Sequence, residues 1–156
     1  MGLRQDILSE PVSRLVLREI IALKPTDTVR HAVATMREKK LGCVVVADAD
    51  GRPMGKLTER LLIKLLLAGP GKLEEPVSAH MAAVWGTVNL TDPIAKAIRV
   101  MQDKSLRFLI VLDGDGKAVG ITGQRGLMEY IVERFPRAVK GQTMDSKLYM
   151  DQREGA

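Results

Sequence analysis

The chain repeats itself. At a constant offset of 65 positions, Glu10-Pro11-Val12-Ser13 returns as Glu75-Pro76-Val77-Ser78, and Thr26-Asp27 returns as Thr91-Asp92. Ala32, Met36, Lys39 and Leu41 return as Ala97, Met101, Lys104 and Leu106. Val46, Asp48, Asp50, Gly51, Gly55, Arg60 and Leu62 return as Val111, Asp113, Asp115, Gly116, Gly120, Arg125 and Leu127. No insertion interrupts the match over more than fifty residues, so one structural unit is used twice. Residues 10–69 form the first repeat and 75–134 the second, between an N-terminal segment 1–9 and a polar C-terminal tail 135–156.

The unit has its own punctuation. Residues 20–23 are a short apolar run, read as a strand, that turns at Pro25. Val29, Ala32, Val33 and Met36 then share one helical face. In the second repeat Pro93 suits a first helical position, which makes Asp92 the N-cap and Asp27 its counterpart. Cys43–Ala47 is a valine-rich run suited to a buried strand, 48–51 turn it, and 54–57 return as its hairpin partner. Thr58 is placed to cap the closing helix with its hydroxyl. The predicted unit is strand, helix, strand, strand, helix, an α/β fold of the α+β type.

The closing helix of the first repeat carries Leu61, Leu62, Ile63, Leu65, Leu66 and Leu67 around nearly its whole circumference. Such a helix is expected to be covered on more than one side: by its own sheet, and by the sister repeat or a second chain. Gly69-Pro70-Gly71 ends it. The tail has two readings, a loosely ordered end or an arm that packs on a partner chain.

Composition narrows the class. Hydrophobic residues make up 46% and charged residues 28%, which fits a globular chain, and aromatics at 3% require an aliphatic core. A single cysteine, Cys43, excludes an internal disulfide framework and is expected as a core thiol. No apolar run reaches the ~20 residues of a membrane span, and a soluble, cytoplasmic protein without membrane contact is expected. Of the +5 net charge, most belongs to residues 1–70, with 12 basic and 8 acidic side chains, against 8 of each in 71–136. That excess is either a solvated surface or a hint of an anionic ligand.

Several patterns resemble chemistry without meeting its requirements. Asp48-x-Asp50-Gly51 and Asp113-x-Asp115-Gly116 begin like a calcium loop, but Pro53 and Ala118 occupy the position that must be glycine, so hairpin turns are expected. Gly114-x-Gly116-x-x-x-Gly120 has the wrong spacing for a dinucleotide fingerprint. His31 and His80 stand outside any metal-ligand spacing, although His80 is a candidate for lining a cleft between the repeats. No acid–base, nucleophile or metal set emerges, and an enzyme is not expected.

With these residues in view, the chain resembles a tandem pair of CBS domains (cystathionine-β-synthase domains), the assembly called a Bateman module. Carrying the likeness are the opening Val77-Ser78-Ala79-His80-Met81, the proline-to-methionine spacing of residues 25–36, the Asp/Gly turn, and the closing glycine-hydrophobic-hydrophobic-hydroxyl pattern. That last pattern is met at Gly55, Leu57 and Thr58, with Lys56 where the family's pattern has a hydrophobic residue, as Ile121 is in the second repeat. The resemblance implies two βαββα repeats related by a pseudo-twofold axis, sheets face to face. It also implies a homodimer formed through the helices, and AMP, ATP or a related adenosyl ligand in a cleft between repeats, with no required cofactor.

Carried over residue by residue, the resemblance makes Thr58 the phosphate- or ribose-contacting hydroxyl and puts Leu61 where a ribose-binding aspartate is expected. In the second repeat both polar positions are glycines, Gly123 and Gly126, and Thr122 falls one residue early, on the other face of a strand. Each charge-assisted bond of a carboxylate clamp is worth about 1.5–3 kcal/mol, so its loss weakens a nucleotide about tenfold or more. The first repeat is therefore the preferred site. Lys56, two residues before Thr58, reaches either a phosphate or solvent. Arg60 and Arg125 meet either a phosphate or a surface carboxylate, and Lys24 and Thr26 lie in the loop that often lines the nucleotide cleft in the family.

The functional expectation is a regulatory, non-enzymatic sensor of an adenosyl ligand that signals to a separate, unknown partner protein. Two alternatives stand beside it. A structural dimerisation module that has lost nucleotide binding would account for Leu61, Gly123 and Gly126. A nucleic-acid-binding module would draw on the basic first half, but is disfavoured by the scarcity of aromatics.

Overall fold

The computed structural model describes residues 2–84 and 86–135. Helix α1 (Leu3–Ser9) precedes two units of like construction. The first contains β1 (Ala22–Leu23), α2 (Val29–Lys39), β2 (Cys43–Ala47), β3 (Pro53–Thr58) and α3 (Glu59–Ala68). The second contains β4 (Thr87–Asn89), α4 (Ile94–Asp103), β5 (Phe108–Leu112), β6 (Ala118–Gly123) and α5 (Gln124–Arg134). Each forms a three-stranded sheet, β1-β2-β3 or β4-β5-β6, whose first pair is parallel and second antiparallel. This is the mixed α/β, doubled unit that the repeat predicts.

The hairpins form as the sequence requires. Gly51 and Gly116 take φ of 82° and 79°, a region that side chains resist. Asp48 Oδ1 accepts from the backbone N–H groups of Asp50 and Arg52 at 3.0 and 2.9 Å, and Asp113 Oδ1 accepts likewise from Asp115 and Lys117. The paired aspartates thus hold turns.

Two expectations about caps change. Helix α2 begins one residue later than read, and Thr28 is its N-cap, accepting from the His31 N–H at 3.2 Å. Pro93 is itself the cap residue of α4. The aspartates Asp27 and Asp92 serve the preceding turn, accepting from the N–H groups of Lys24 and Asn89 at 2.8 Å. An Asp side chain bonds a nearby backbone donor wherever one is in reach, and here the loop donor is nearer than the helical ones.

The repeated Glu-Pro-Val-Ser segment has a role that the offset alone does not show: each copy packs on the other unit. Val12 is fully buried among Val88, Ile94, Ala97, Leu109 and Val111, whereas Val77 is buried among Leu23, Val29, Ala32, Val44 and Leu57. Backbone bonds fix the exchange. Val12 N–H donates to Asp92 and Ile94 N–H to Glu10, at 2.8 and 2.9 Å; Val77 N–H donates to Asp27 and Val29 N–H to Glu75, at 2.7 and 3.0 Å. Each lead-in then runs along the far edge of the other sheet, pairing Arg18 with Ile121 and Ala82 with Lys56.

Between the sheets lies an aliphatic layer. Val44 and Val46 face the helices, so alternation turns Cys43, Val45 and Ala47 to the opposite face, as it does Phe108 and Ile110 in β5. Val45 and Ile110 belong to neither helix-side core yet are 0% and 2% exposed, which closes the two sheets on each other. Cys43 lies buried here, and burial pushes its thiol pKa up, as expected of a core thiol. At the hairpin tips Ala118 N–H donates to the Gly51 carbonyl at 3.0 Å.

Helix α3 departs from its expected cover. Its Leu62 is buried, but Ile63, Leu66 and Leu67 stay exposed, Leu67 at 84%. The sister repeat therefore does not lie on its outer side.

Candidate functional site

Where β6 hands over to α5, the chain opens a cleft of about 280 Å³, just below the usual range for ligand sites. Three segments build it: Ile121 to Gly126 from the junction, Arg107 and Phe108 from the start of β5, and Val16 and Arg18 from the exchanged lead-in. Residues from both sequence repeats thus meet at one site.

The glycines of this junction have a packing reason. A Cβ on Gly123 would stand 2.5 Å from the Arg107 carbonyl oxygen, a contact side chains do not tolerate. One on Gly126 would stand 3.1 Å from the Val16 carbonyl and 3.2 Å from Thr122 Oγ1. The loss of the expected polar positions therefore lets the lead-in and β5 close on the helix start.

Three guanidinium groups, Arg18, Arg107 and Arg125, stand at the exposed mouth. Among the lining residues Glu129 is the one carboxylate, and its Oε1 lies 3.0 Å from Arg125 Nε. Helix α5 has no side-chain cap, since Gly123 offers none. The Gln124 N–H donates to the Arg107 carbonyl at 3.4 Å, and the rest of the first turn, with the positive end of the helix dipole, lies at an already cationic cleft. Under the floor, Thr122 is 3% exposed and its hydroxyl finds no protein partner. Such a group costs about 1–3 kcal/mol.

The corresponding junction of the first unit is finished differently. Thr58 Oγ1 accepts from the Leu61 N–H at 3.3 Å, so the hydroxyl predicted to meet a ligand is the N-cap of α3. Leu61 packs against the first core, and Arg60 is exposed on the first helical turn. Lys56 is bridged along its backbone to Ala82, and its Nζ lies 5.3 Å from the centroid of the Phe108 ring, across the gap between sheets. Burial pushes its pKa down, opposed by the nearby Cys43.

Of the other candidates, Arg125 lines the second cleft, whereas Lys24 and Thr26 are exposed in the loop between β1 and α2. His80 is held by Glu75, its Nε2 at 2.5 Å from Oε2, and Lys72 Nζ joins the same carboxylate at 2.9 Å. The bonds from Lys72 and then His80 hold the Glu75 carboxyl below its usual range. Arg18, Arg107 and Gln124 were not singled out from the sequence. The available signal was a difference between repeats: the same offset places Ala83, Gly42 and Glu59 at these positions.

A second kind of surface lies on the helix side. An open groove of about 540 Å³ runs between α2 and α3, lined by Arg30, Val33, Arg37, Leu66 and Leu73. It is larger than the cleft but shallow and apolar, suited to a protein surface more than to a charged small molecule. Among the described residues no group of three or more His, Cys, Asp or Glu could hold a metal ion, and no helix is long and apolar enough to cross a membrane.

The CBS domain family model matches residues 12–68 and 78–133. An uncharacterised protein of Methanopyrus kandleri is 29% identical over 136 residues, covering 85% of this chain and 69% of its own. A CBS domain protein from Pyrobaculum aerophilum, solved in complex with AMP, superposes with a TM-score of 0.68 at 25% identity, covering 85% of this chain and 96% of that one. A CBS domain pair solved with 5′-methylthioadenosine and S-adenosyl-L-methionine superposes with a TM-score of 0.66 at 14% identity, covering 80% and 97%, a likeness of fold alone.

Proposed function

We propose a regulatory role from one premise: the chain belongs to the CBS domain family. It acts as a non-enzymatic sensor that takes an adenosyl ligand with phosphate, of the AMP or ATP kind, into the cleft at the β6–α5 junction. The observation that carries this reading is the convergence of Arg18, Arg107 and Arg125 on an uncapped helix start. The AMP held by the Pyrobaculum aerophilum relative supports the ligand class.

Signalling follows from the exchanged lead-in. Arg18 belongs to the first sequence repeat but is bonded to β6 of the second unit, so a ligand that grips both biases how the units sit. It shifts that equilibrium only as far as its affinities for the two arrangements differ. The exposed Ile63, Leu66 and Leu67 beside the α2–α3 groove support a homodimer through these helices, and the dimer passes the change to a separate partner protein.

Calorimetry with AMP, ATP, S-adenosylmethionine and NADH tests the sensor. Heat with AMP or ATP is expected; no heat and no thermal shift with any of them would favour the structural dimerisation module instead. Light scattering at micromolar concentration tests the assembly, and a stable monomer would remove the dimer from this reading.

A further inference from the structure

We infer that the β6–α5 cleft selects its ligand by the phosphate chain and is blind to the ribose hydroxyls. This rests on the nucleotide-sensor reading and specifies it. A vicinal diol presents two O–H donors, and it is gripped best by a carboxylate that accepts both. The cleft's one acidic side chain, Glu129, is already engaged by Arg125. The Arg18 carbonyl is likewise engaged, accepting from Ile121 N–H at 3.0 Å, and the side-chain acceptors that remain in the lining, the Thr122 hydroxyl and the Gln124 amide, are neutral.

What the cleft offers in quantity is donors. Its three guanidinium groups carry five N–H donors apiece, of which Arg125 Nε is given to Glu129. The first turn of α5, whose Gln124 N–H is given to the Arg107 carbonyl, adds the backbone N–H groups of Arg125 and Gly126. Counting side chains, three positive charges stand against one negative, which favours two or more phosphates over one. Space agrees with charge. Arg107 and Gln124 also line an adjoining cavity of about 420 Å³, where Gln102 and Ser105 stand beside Ile98, Met101, Leu106 and Leu127, so the Arg107 side has space beyond the cleft. A neutral nucleoside meets no complementary charge here, and the sulfonium of S-adenosylmethionine meets repulsion.

The test is a calorimetric series on the full chain at fixed salt: ATP, 2′-deoxy-ATP, 2′,3′-dideoxy-ATP, ADP, AMP, adenosine, S-adenosylmethionine and inorganic tripolyphosphate. The three triphosphates should agree within about threefold, affinity should fall about fivefold or more with each phosphate removed, and tripolyphosphate should compete with ATP. Adenosine and S-adenosylmethionine should bind at least about a hundredfold more weakly than ATP. Arg107→Gln should weaken ATP about tenfold with the ligand-free melting temperature unchanged, and Arg99→Gln, on exposed α4, should leave binding as it is. If AMP binds as tightly as ATP, or 2′-deoxy-ATP binds tenfold more weakly, the inference falls while the sensor reading stands. If no adenine nucleotide binds, the sensor reading itself falls.

Discussion

The β3–α3 and β6–α5 junctions share one backbone plan and use it in opposite ways. At β3–α3 the side chains complete the protein: Thr58 caps the helix, Leu61 fills the core, and Lys56 crosses to Phe108. At β6–α5 the equivalent positions are Gly123, Gly126 and Ile121, and the space is lined by Arg18 and Arg107, where the β3–α3 junction has Ala82, paired with Lys56 as Arg18 is with Ile121, and Gly42. Duplication therefore leaves one copy free to complete the protein's own packing while the other brings Arg18 and Arg107 to a cleft. The more family-like hydroxyl, at Thr58, belongs to the junction where it caps a helix.

The units are nevertheless not independent, and the largest expected effect tests this. Val12 and Val77 are each fully buried in the core of the opposite unit. Val12→Ala and Val77→Ala should each cost about 2–3 kcal/mol by lost burial and residual cavity. Hydrogen exchange should show where: Val12→Ala should loosen 87–134 first, and Val77→Ala should loosen 22–68. The opposite assignment would mean that each lead-in serves its own repeat.

The clasps at the two repeated glutamates sharpen the contrast through pH. Glu10 accepts from Tyr130 Oη at 2.8 Å and from Arg134 Nη2 at 2.6 Å, whereas its equivalent Glu75 is held by Lys72 and His80. Burial first, then the bond to Glu10, pushes the Tyr130 pKa from 10.0 up to about 12. Folding thus favours the neutral phenol, so its contribution is intact below pH 10.0 and lost as pH rises toward 12. Tyr130→Phe should cost about 1.5–3 kcal/mol at neutral pH through the lost bond to the Glu10 carboxylate, and urea titrations should show that difference shrinking as pH rises from 10.0 toward 12. The Glu75 carboxyl is depressed instead, so its contribution holds above its ordinary 4.5 and is lost as pH falls further. A Tyr130→Phe difference that persists unchanged to pH 12 would remove the distinction.

Much of this fold was legible because the offset doubled every local signal. Valine-rich β2 and its apolar counterpart β5, the Asp–Gly turns and the Thr58 cap all recur or fall where spacing demands. The exchange of lead-ins was not legible, since two copies at one offset look the same whether each packs on itself or on its sister. For the same reason Arg18 could not be joined to Arg107 and Arg125: tertiary exchange, not sequence proximity, brings them together. The caps at Asp27 and Asp92 were misplaced because an aspartate bonds a loop donor as readily as a helical one.

The smallest effect bears most directly on the contrast between junctions. If the Thr58 hydroxyl serves α3, Thr58→Ala should cost about 1 kcal/mol, lowering the melting temperature by about 2–4 °C. It should leave nucleotide affinity unchanged, because the cleft proposed for the nucleotide lies at the other junction. The reciprocal change, Gly123→Ser, offers α5 the hydroxyl it lacks, yet it should destabilise as well, since its Cβ meets the Arg107 carbonyl at 2.5 Å. The backbone shift needed to relieve that contact would move Arg107 and weaken ATP. One pair of substitutions therefore separates the junctions: a cap removed at Thr58 changes stability alone, and a cap added at Gly123 changes stability and binding together. Loss of binding on Thr58→Ala with stability unchanged would return the ligand to the first junction.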